Sequence, residues 1–390
     1  MRRILVVLPH IIRPKIHVRE YGFVSYLSTK YRLTLVTIDS EKQLHEFGRE
    51  PWLNQVEWIP VCIARHDRLV SAIHSWARGG PALVGLYCPS RAIRQLDKIL
   101  RGKCFDLAHV QTIMLGPVCD LLDGTPKVLD FVDSLYLKLS RRAQLANRLL
   151  AKILKLEARR IHEYERRIEP KVDEFLISSQ LDRNYLGVCS EVQVVPTGVA
   201  LKEFPYKEGR CGKDIIFIGT LSYSPNVDAV LYFTNCVFPL IRKQVPDAQF
   251  IIVGYAPGRK VSALGRVEGV EVRGYVPDVY PYLARAAVAV APLRMGSGIQ
   301  VKVLQAMAAG TPVVATPYAL GGIEAVPGVH VMVAHGQAEL ADAVVRLLKS
   351  PEDAVHLARE ARRLVEEKYS WEVVLNKLQH IYDRLLSDRV

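Results

Sequence analysis

A nineteen-residue stretch near the C-terminus, 294–312, combines glycines and cations in a pattern typical of an anion-binding loop. Gly296 and Gly298 allow the backbone to approach a ligand closely, and the helix predicted after them presents unpaired N–H groups and a partial positive charge. Arg294 and Lys302 add full charges beside those groups, an arrangement that favours a phosphate or diphosphate. The alternative interpretation is an ordinary helix start with two surface cations.

The helix of this stretch is predicted to keep two polar side chains on one face. Lys302, one turn into the helix, and Gln305 are three residues apart and share that face. The apolar residues around them are expected to pack on a sheet, leaving the Lys302/Gln305 face free. Gly310-Thr-Pro312 ends the helix, and 313–316 is predicted to be a short buried strand.

Composition limits the class of protein. A chain of 390 residues exceeds what one hydrophobic core usually supports, so two domains are expected. Hydrophobic residues make up 49% and charged residues 24%, which excludes a disordered chain. The net charge of +12 suits an anionic partner such as nucleotide phosphates or an anionic membrane. Nucleic-acid binding is not expected, because the basic residues lack interleaved aromatics.

The compartment is predicted from cysteines and apolar runs. The seven cysteines are scattered without a C-x-x-C pair, which favours free thiols in a reducing cytoplasm. No apolar run reaches the roughly 18 residues that span a bilayer. The opening Met1–Leu8 is cut short by Pro9 and is interpreted as a first strand rather than a signal peptide.

Short apolar runs alternate with helical stretches along the whole chain, which indicates an α/β protein with two doubly wound parallel sheets. In the first half a helix is predicted at about 19–30, and strands at 4–8, 33–38, 106–110, 128–132 and 175–178. Prolines and glycines in 192–212 predict a linker. The second alternation has strands at 214–219, 250–254, 270–274, 288–291 and 313–315. Two such domains, facing across a cleft, place their ligands at the carboxyl ends of the strands.

Five segments in the second half, taken in order, carry a family resemblance. They are Phe217–Asn226, Phe250–Gly254, Val272–Asp278, Val288–Arg294 and Lys302–Ala315. Together they resemble the glycosyltransferases of the GT-B fold, family 4 in particular, in a branch with a glycine-x-glycine loop followed by lysine. The resemblance implies Rossmann-like domains at 1–195, for the acceptor, and 196–370, for the donor, with a last helix at about 371–390 packing back on the first domain.

This family resemblance implies a hexosyltransferase that moves a sugar, with retention of anomeric configuration, from a nucleotide diphosphate to a glycan, glycolipid or small glycoside. The nucleotide sugar is a co-substrate; no cofactor or metal is expected, and no D-x-D occurs in the sequence. Arg294, Lys302 and helix N–H groups would then offset the charge of the departing diphosphate. The donor positions implied are Gly219, Thr220, Asn226, Val276, Arg294, Gly296, Ser297, Gly298, Ile299, Lys302 and Gln305, with Lys302 also catalytic.

The sequence departs from the family pattern at several positions. The two glutamates that the family commonly carries eight residues apart are Ser297 and Gln305 here, and a neutral amide bonds a ribose hydroxyl more weakly than a carboxylate does. Thr220 stands where many members have an arginine, and Val132 stands at the position of a sugar-contacting histidine. These changes keep two alternatives open: a catalytically impaired pseudo-enzyme or regulatory subunit, and a nucleotide-sugar epimerase of the same fold.

The first domain offers two sets of candidates. Asp133 is the catalytic candidate for contact with the donor sugar or acceptor hydroxyl; an N-cap for the helix beginning near Leu135 is the alternative. The loop after the first strand is basic, and its side chains suit an acceptor that bears phosphate or carboxylate, with a solvated loop as the alternative. The residues concerned are Arg13, Lys15, His17 and Arg19.

A basic helical segment, 141–171, contains ten basic residues against four glutamates. Apolar residues recur in it at helical spacing: Leu145, Leu149, Ile153, Leu156 and Ile161. Such a helix can lie on an anionic membrane and bring the site to a lipid-linked acceptor, which would make the protein peripheral on the inner face of the membrane. The alternative is that the apolar stripe packs on the sheet and the charges form a solvated face.

Overall fold

The computed structural model describes residues 1–39, 53, 56–209 and 212–387. They divide into two compact units. The first unit comprises Met1–Pro196 with Leu375–Val390, and the second comprises Thr197–Val374. The boundaries expected from the sequence lie at 195/196 and 370/371.

The first unit contains a seven-stranded parallel sheet with the order β3-β2-β1-β4-β5-β6-β7. Its strands are β1 Arg3–Leu8, β2 Arg32–Asp39, β3 Glu57–Cys62, β4 Leu107–Gln111, β5 Lys127–Asp130, β6 Glu174–Ile177 and β7 Val192–Val194. The five strands predicted here are confirmed; β3 and β7 were not predicted. The linker prediction was wrong at its start, because Val192–Val194 pairs with β6 as the edge strand.

Helices connect these strands and cover the sheet. They are α1 Val18–Lys30, α2 Arg65–Ala77, α3 Ala82–Tyr87, α4 Ser90–Leu100, α5 Leu135–Gln144, α6 Arg148–Ile168 and α7 Gln180–Arg183, with a 3-10 helix at Ile113–Leu121. The inner strands are mostly apolar and buried; Ile4 to Leu8 of β1, for example, are all buried. Continuous apolar strands are expected where helices cover both faces of a parallel sheet.

The second unit contains a six-stranded parallel sheet with the order β10-β9-β8-β11-β12-β13. Its strands are β8 Asp214–Ile218, β9 Gln249–Val253, β10 Val270–Gly274, β11 Val288–Ala291, β12 Val313–Ala315 and β13 Met332–Val333. Its helices are α8 Ser224–Tyr232, α9 Phe238–Gln244, α10 Arg259–Ser262, α11 Tyr280–Arg285, α12 Val301–Ala308, α13 Pro317–Leu320, α14 Gln337–Lys349 and α15 Pro351–Lys368. The predicted fold class, two doubly wound parallel sheets, is confirmed.

The last helix, α16 Trp371–Ser387, begins in the second unit and joins the first from Leu375 onward. Tyr382 is completely buried there, and its hydroxyl lies 2.8 Å from Nδ1 of His109 in the middle of β4. Near the end of the helix, Arg2 donates to the carbonyl oxygen of Leu386 at 2.6 Å. Contacts with Arg2 and with His109 of β4 therefore hold this helix within the first unit.

A buried ion pair lies at the carboxyl edge of the first sheet. Asp130 ends β5, and its two carboxylate oxygens accept from Nε of Arg19 at 2.8 Å and from a second guanidinium nitrogen at 3.0 Å. Arg19 also donates to the carbonyl oxygen of Val195 at 2.6 Å. Burial by itself would raise the pKa of Asp130, but the charge of Arg19 and hydrogen bonds from His109 and Arg19 outweigh it and lower that pKa to about 2.

We expect Asp130→Asn to lower the free energy of unfolding by about 3 kcal/mol, because it leaves the buried guanidinium without its counter-charge. The ion pair stabilises the fold above the unfolded-state pKa of aspartate, about 4, and this contribution is lost as the pH falls from about 4 to about 2. Urea unfolding followed by circular dichroism at pH 7 and at pH 3 tests both points.

The matched control is Asp97→Asn, which breaks an exposed pair with Arg101 one helical turn away. Its cost should stay below about 1 kcal/mol. An equal loss for the two variants would contradict the importance of the buried pair.

Candidate active site

In the second unit, two glycines bring the ends of β8 and β9 into close contact. A Cβ on Gly254 would lie 1.7 Å from the carbonyl oxygen of Gly219, so no other residue fits there. A Cβ on Gly219 would lie 2.8 Å from the side-chain nitrogen of Asn226. The tight packing places the loop that follows Gly219 directly beside the start of α8.

Asn226 connects this loop to the cation of α12. Its side chain is buried, its Nδ2 donates to the carbonyl oxygen of Thr220 at 3.0 Å, and its Oδ1 accepts from Nζ of Lys302. Lys302 lies 76 residues after Asn226 in the sequence but forms one group here with Asn226 and Thr220. The structure therefore brings together three of the positions that the family resemblance implied for the donor.

Lys302 is the second residue of α12, not one turn into it, and its stem lies among apolar side chains. Its Nζ is 4.8 Å from the centre of the Phe217 ring. Burial lowers the pKa of Lys302 to about 7. The expectation that the Lys302/Gln305 face is free was therefore wrong for Lys302, because its side chain is half-buried and its ammonium contacts Asn226 and Phe217. Gln305 is half-buried.

The predicted glycine loop adopts backbone conformations that favour glycine. Gly296 has φ +132° and Gly298 has φ +69°. Between them Ser297 is buried, and its carbonyl oxygen accepts from Nε2 of Gln300 at 3.2 Å. Ile299, which is half-buried, follows this loop. The chain then enters the first turn of α12, whose first backbone N–H groups lie next to Lys302.

The carboxyl end of α12 is also fixed. Arg362 of α15 donates to the carbonyl oxygen of Ala308 at 2.5 Å and to that of Phe204 at 2.7 Å. A cation at this end of a helix satisfies otherwise unpaired carbonyl groups and complements the helix dipole. Both ends of the helix that carries Lys302 are thereby anchored.

Arg294 interacts with α8. Two of its guanidinium nitrogens bond the carboxylate of Asp228, and the guanidinium lies 4.7 Å from the centre of the Tyr232 ring. The hydrogen bond that Arg294 donates to Asp228 raises the pKa of Arg294 despite partial burial. Because Asp228 follows Asn226 by two residues, the same helix contacts both predicted cations. The guanidinium charge of Arg294 is thus balanced by a carboxylate, whereas the described contacts of Lys302 are with the neutral Asn226 and Phe217.

Two tyrosines that the sequence interpretation missed lie beside Val276. Tyr255 follows the glycine after β9, and Tyr275 follows the last glycine of β10; their rings meet edge to face with centres 6.1 Å apart. Both rings are exposed, whereas Val276 is half-buried against the core. The sequence does contain a signal that could have identified these tyrosines: an aromatic residue directly after a strand-ending glycine, repeated at two neighbouring strands.

In the first unit, the predicted cap and the predicted catalytic residue are different residues. Ser134 caps α5, because its hydroxyl accepts from the N–H of Leu137 at 3.2 Å. Asp133 precedes the cap, and its carboxylate lies 3.2 Å from Nζ of Lys138. Just before it, Val132 has φ +67°, which is strained for a β-branched residue. The carboxylate of Asp130 accepts from the Val132 N–H at 3.0 Å and helps to hold this conformation.

The loop after β1 is less basic than predicted. Burial is the largest cause that lowers the pKa of His17 to about 4, followed by the nearby His10, so His17 is neutral at pH 7. Its Nδ1 accepts from the N–H of Arg13 at 3.0 Å. Lys15 is exposed and Arg13 half-buried. The prediction that Arg19 binds the acceptor was wrong. Arg19 lies in α1, is only 3% exposed, and its guanidinium pairs with Asp130.

Within the residues that the structure describes, no cluster of three or more histidine, cysteine, aspartate or glutamate side chains is arranged to hold a metal ion. Over the same residues, no helix combines the length and hydropathy needed to cross a bilayer.

Comparison with known proteins shows which family the second unit resembles. Residues 212–350 match the family described as glycosyl transferases group 1. A phosphatidyl-myo-inositol mannosyltransferase of Mycobacterium leprae is 30% identical over 213 residues, which cover 50% of this chain and 54% of that protein. The chain thus matches about half the length of this relative.

Two solved structures are similar over nearly the whole chain. Sucrose-phosphate synthase from Thermosynechococcus elongatus has a TM-score of 0.73 at 16% identity and covers 99% of this chain and 100% of its own. Anabaena Alr3699/HepE in complex with UDP has a TM-score of 0.66 at 12% identity, covering 98% and 100%. The two sheets and these neighbours define the GT-B fold. Within that class, residues 212–350 match the group 1 glycosyltransferase family, which confirms the family 4 resemblance of the sequence.

We expect Lys302→Met to stabilise the protein by about 2 kcal/mol at pH 7, because it removes a buried ammonium. The folded-state pKa of about 7 lies below the unfolded value of about 10.4, so the unfolded chain binds more protons between these pH values. Wild-type stability should therefore rise from pH 7 to pH 10, and the advantage of the variant should shrink over that window.

Urea unfolding at a series of pH values measures this difference. The exposed Lys260 provides the control, since Lys260→Met should leave the pH dependence of stability unchanged. Parallel pH profiles for wild type and Lys302→Met would show that the ammonium is not buried as described.

Proposed function

We propose that this protein is a hexosyltransferase that uses a nucleotide diphosphate sugar and transfers the sugar to a glycan, glycolipid or small glycoside. The observation that carries the proposal is the position of Lys302. It lies in the first turn of α12, after the Gly296–Gly298 loop and in contact with Asn226, at the sheet edge where parallel α/β folds bind ligands. The mannosyltransferase relative and the UDP complex of the Anabaena neighbour support this donor class.

In the proposed reaction, the bond between the anomeric carbon and the diphosphate oxygen breaks, and a bond forms from that carbon to an acceptor oxygen. The acceptor hydroxyl gives up its proton, which is released to solvent, and the diphosphate departs with an added negative charge. Protonated Lys302 and the N–H groups at the start of α12 offset this charge in a site of low polarity. We further propose retention of configuration and independence of metal ions, as the family resemblance implies.

The nucleoside is proposed to bind near Val276, with the exposed Tyr255 and Tyr275 rings providing apolar faces for the base. Gln305 is proposed to bond a ribose hydroxyl. In the first unit, Asp133 remains the candidate for the sugar or acceptor hydroxyl, and Arg13 and Lys15 remain candidates for an anionic acceptor. His17 is neutral at pH 7 and would act as a hydrogen-bonding group there.

The first test is calorimetric titration with UDP, GDP, dTDP and ADP sugars, followed by analysis of the sugar after incubation. We expect one nucleotide class to bind, with slow donor hydrolysis when no acceptor is supplied, and with equal activity after chelation of divalent ions. Binding without turnover under any condition would favour a pseudo-enzyme, and epimerised donor would favour an epimerase. The anomeric signal of the product in NMR tests retention.

Lys302→Ala should weaken binding of the nucleotide sugar at least about tenfold, because it removes a charge-assisted contact with the diphosphate. Lys260→Ala is the control and should bind normally. Because the pKa of Lys302 is about 7 in the free protein, binding to the diphosphate at pH 8 should take up protons. Titration in buffers of different ionisation enthalpy measures that uptake, which Lys302→Ala should abolish. Unchanged affinity in this variant would place the donor elsewhere.

Gln305→Glu should tighten binding of the nucleotide sugar by a few-fold, because a carboxylate makes a stronger hydrogen bond to ribose hydroxyls than an amide does. The same titration measures the change. Gln337→Glu, at the exposed start of α14, adds the same charge elsewhere in the second unit and should have no effect. Weaker binding by Gln305→Glu alone would show that position 305 faces the diphosphate rather than the ribose.

A further inference from the structure

Helix α2 has its apolar side outward. The helix has no buried residue, and Leu69, Ile73 and Trp76, at helical spacing, are 59%, 66% and 41% exposed. Its inner side is small and polar: the backbone of Ser71 packs so closely on α3 that a Cβ on Gly85 would lie 2.2 Å from the Ser71 carbonyl oxygen. An amphipathic helix in a globular protein normally turns its apolar side to the core, so this orientation needs a partner.

Helix α6 shows the same feature over its first half. Leu149, Ile153 and Leu156 are 72%, 46% and 38% exposed. The sequence interpretation that this stripe packs on the sheet was wrong for these residues, although Ile161 is fully buried as it required. The buried side of the first half is formed instead by Leu154, Glu157 and Ala158.

The two exposed apolar sides are neighbours. Arg160 of α6 donates to the carbonyl oxygen of Trp76 at 2.9 Å, and its guanidinium lies 4.6 Å from the centre of the Trp76 ring. Leu156 is one turn before Arg160, so it lies on the same side of α6. Glu157 holds α6 against α3 by accepting from the N–H of Leu83 at 2.9 Å. We call Leu69, Ile73, Trp76, Leu149, Ile153 and Leu156 together the apolar face.

The charges around the apolar face have one sign. Residues 148–160 contain five basic side chains, and Glu157, their single acidic side chain, is buried against α3. On α2, Asp67 pairs with Arg91 at 3.1 Å. A two-fold contact between copies of this chain would place these cations opposite one another and is therefore disfavoured. An apolar stripe bordered by lysines and arginines, with a tryptophan among them, matches the interface of an anionic lipid bilayer.

We propose that α2 and α6 together dock the first unit on an anionic membrane surface, with the apolar face inserted at the level of the lipid headgroups. The lysines and arginines then contact lipid phosphates. This docking involves none of the proposed donor residues, so membrane binding and sugar transfer are separable properties. Docking would bring the first unit to acceptors that lie in the membrane.

Cosedimentation with lipid vesicles tests the proposal. The full chain should bind vesicles of phosphatidylcholine with 30% phosphatidylglycerol at least tenfold more tightly than pure phosphatidylcholine, and 0.5 M salt should weaken binding. The variant Leu69→Ser/Ile73→Ser should lose at least tenfold in affinity, as should Leu149→Ser/Ile153→Ser and Lys152→Glu/Lys155→Glu. Tryptophan emission should shift to the blue with anionic vesicles, and Trp76→Phe should remove most of that shift.

The controls make matched changes on the second unit. Lys243→Glu/Lys260→Glu and Val267→Ser/Val326→Ser alter exposed residues and should bind vesicles like the wild type. All variants should keep wild-type circular dichroism and wild-type affinity for the nucleotide sugar. Equal binding by the α2 variant, or no preference for anionic vesicles, would overturn the proposal. A dimer in sedimentation velocity that the same substitutions dissociate would assign the face to self-association instead.

Discussion

The burial of one ammonium group organises the proposed donor site. The side chain of Lys302 packs against apolar residues from the strands of the second sheet. Its Nζ donates a hydrogen bond to a neutral amide rather than to a carboxylate. An ammonium in such a place is only partly compensated, which is why its pKa is close to neutral. A bound diphosphate would supply the missing charge. Arg294 differs in this respect, because Asp228 already neutralises it.

The surrounding architecture keeps this lysine in position. Gly219 and Gly254 bring two strand ends close enough for Asn226 to bond the loop and the lysine at once. Arg362 fixes the other end of α12 by bonding its last carbonyl. The contacts of Lys302 with Asn226 and of Arg362 with Ala308 join segments that are distant in sequence, so the geometry of the site depends on the completed sheet rather than on local structure alone.

The first unit uses its buried charge differently. Asp130 has a full counter-charge in Arg19, and the pair holds the end of β5 where Val132 adopts a strained conformation. Backbone strain of this kind persists only when surrounding contacts over-determine it. Here they orient the chain just before Asp133, the candidate for contact with sugar or acceptor. A paired buried charge thus supports structure in one unit, whereas a partly compensated one offers a binding site in the other.

The sequence by itself determined the α/β class, ten of the thirteen strands in the part of the chain that the structure describes, and the glycine loop before Lys302, because these depend on local hydrophobic pattern and on glycine's access to positive φ. It missed β3, β7 and β13, which are short or carry mixed polarity at sheet edges. It also placed Arg19 among the acceptor candidates, and it left open whether the stripe of α6 meets a membrane or packs on the sheet. Only the tertiary structure decided the surroundings of Arg19 and of this stripe, since periodicity defines a helix face but not the surface that packs against it. The counter-charge of Arg19, the amide beside Lys302 and the outward side of α2 all depend on contacts between residues far apart in the chain.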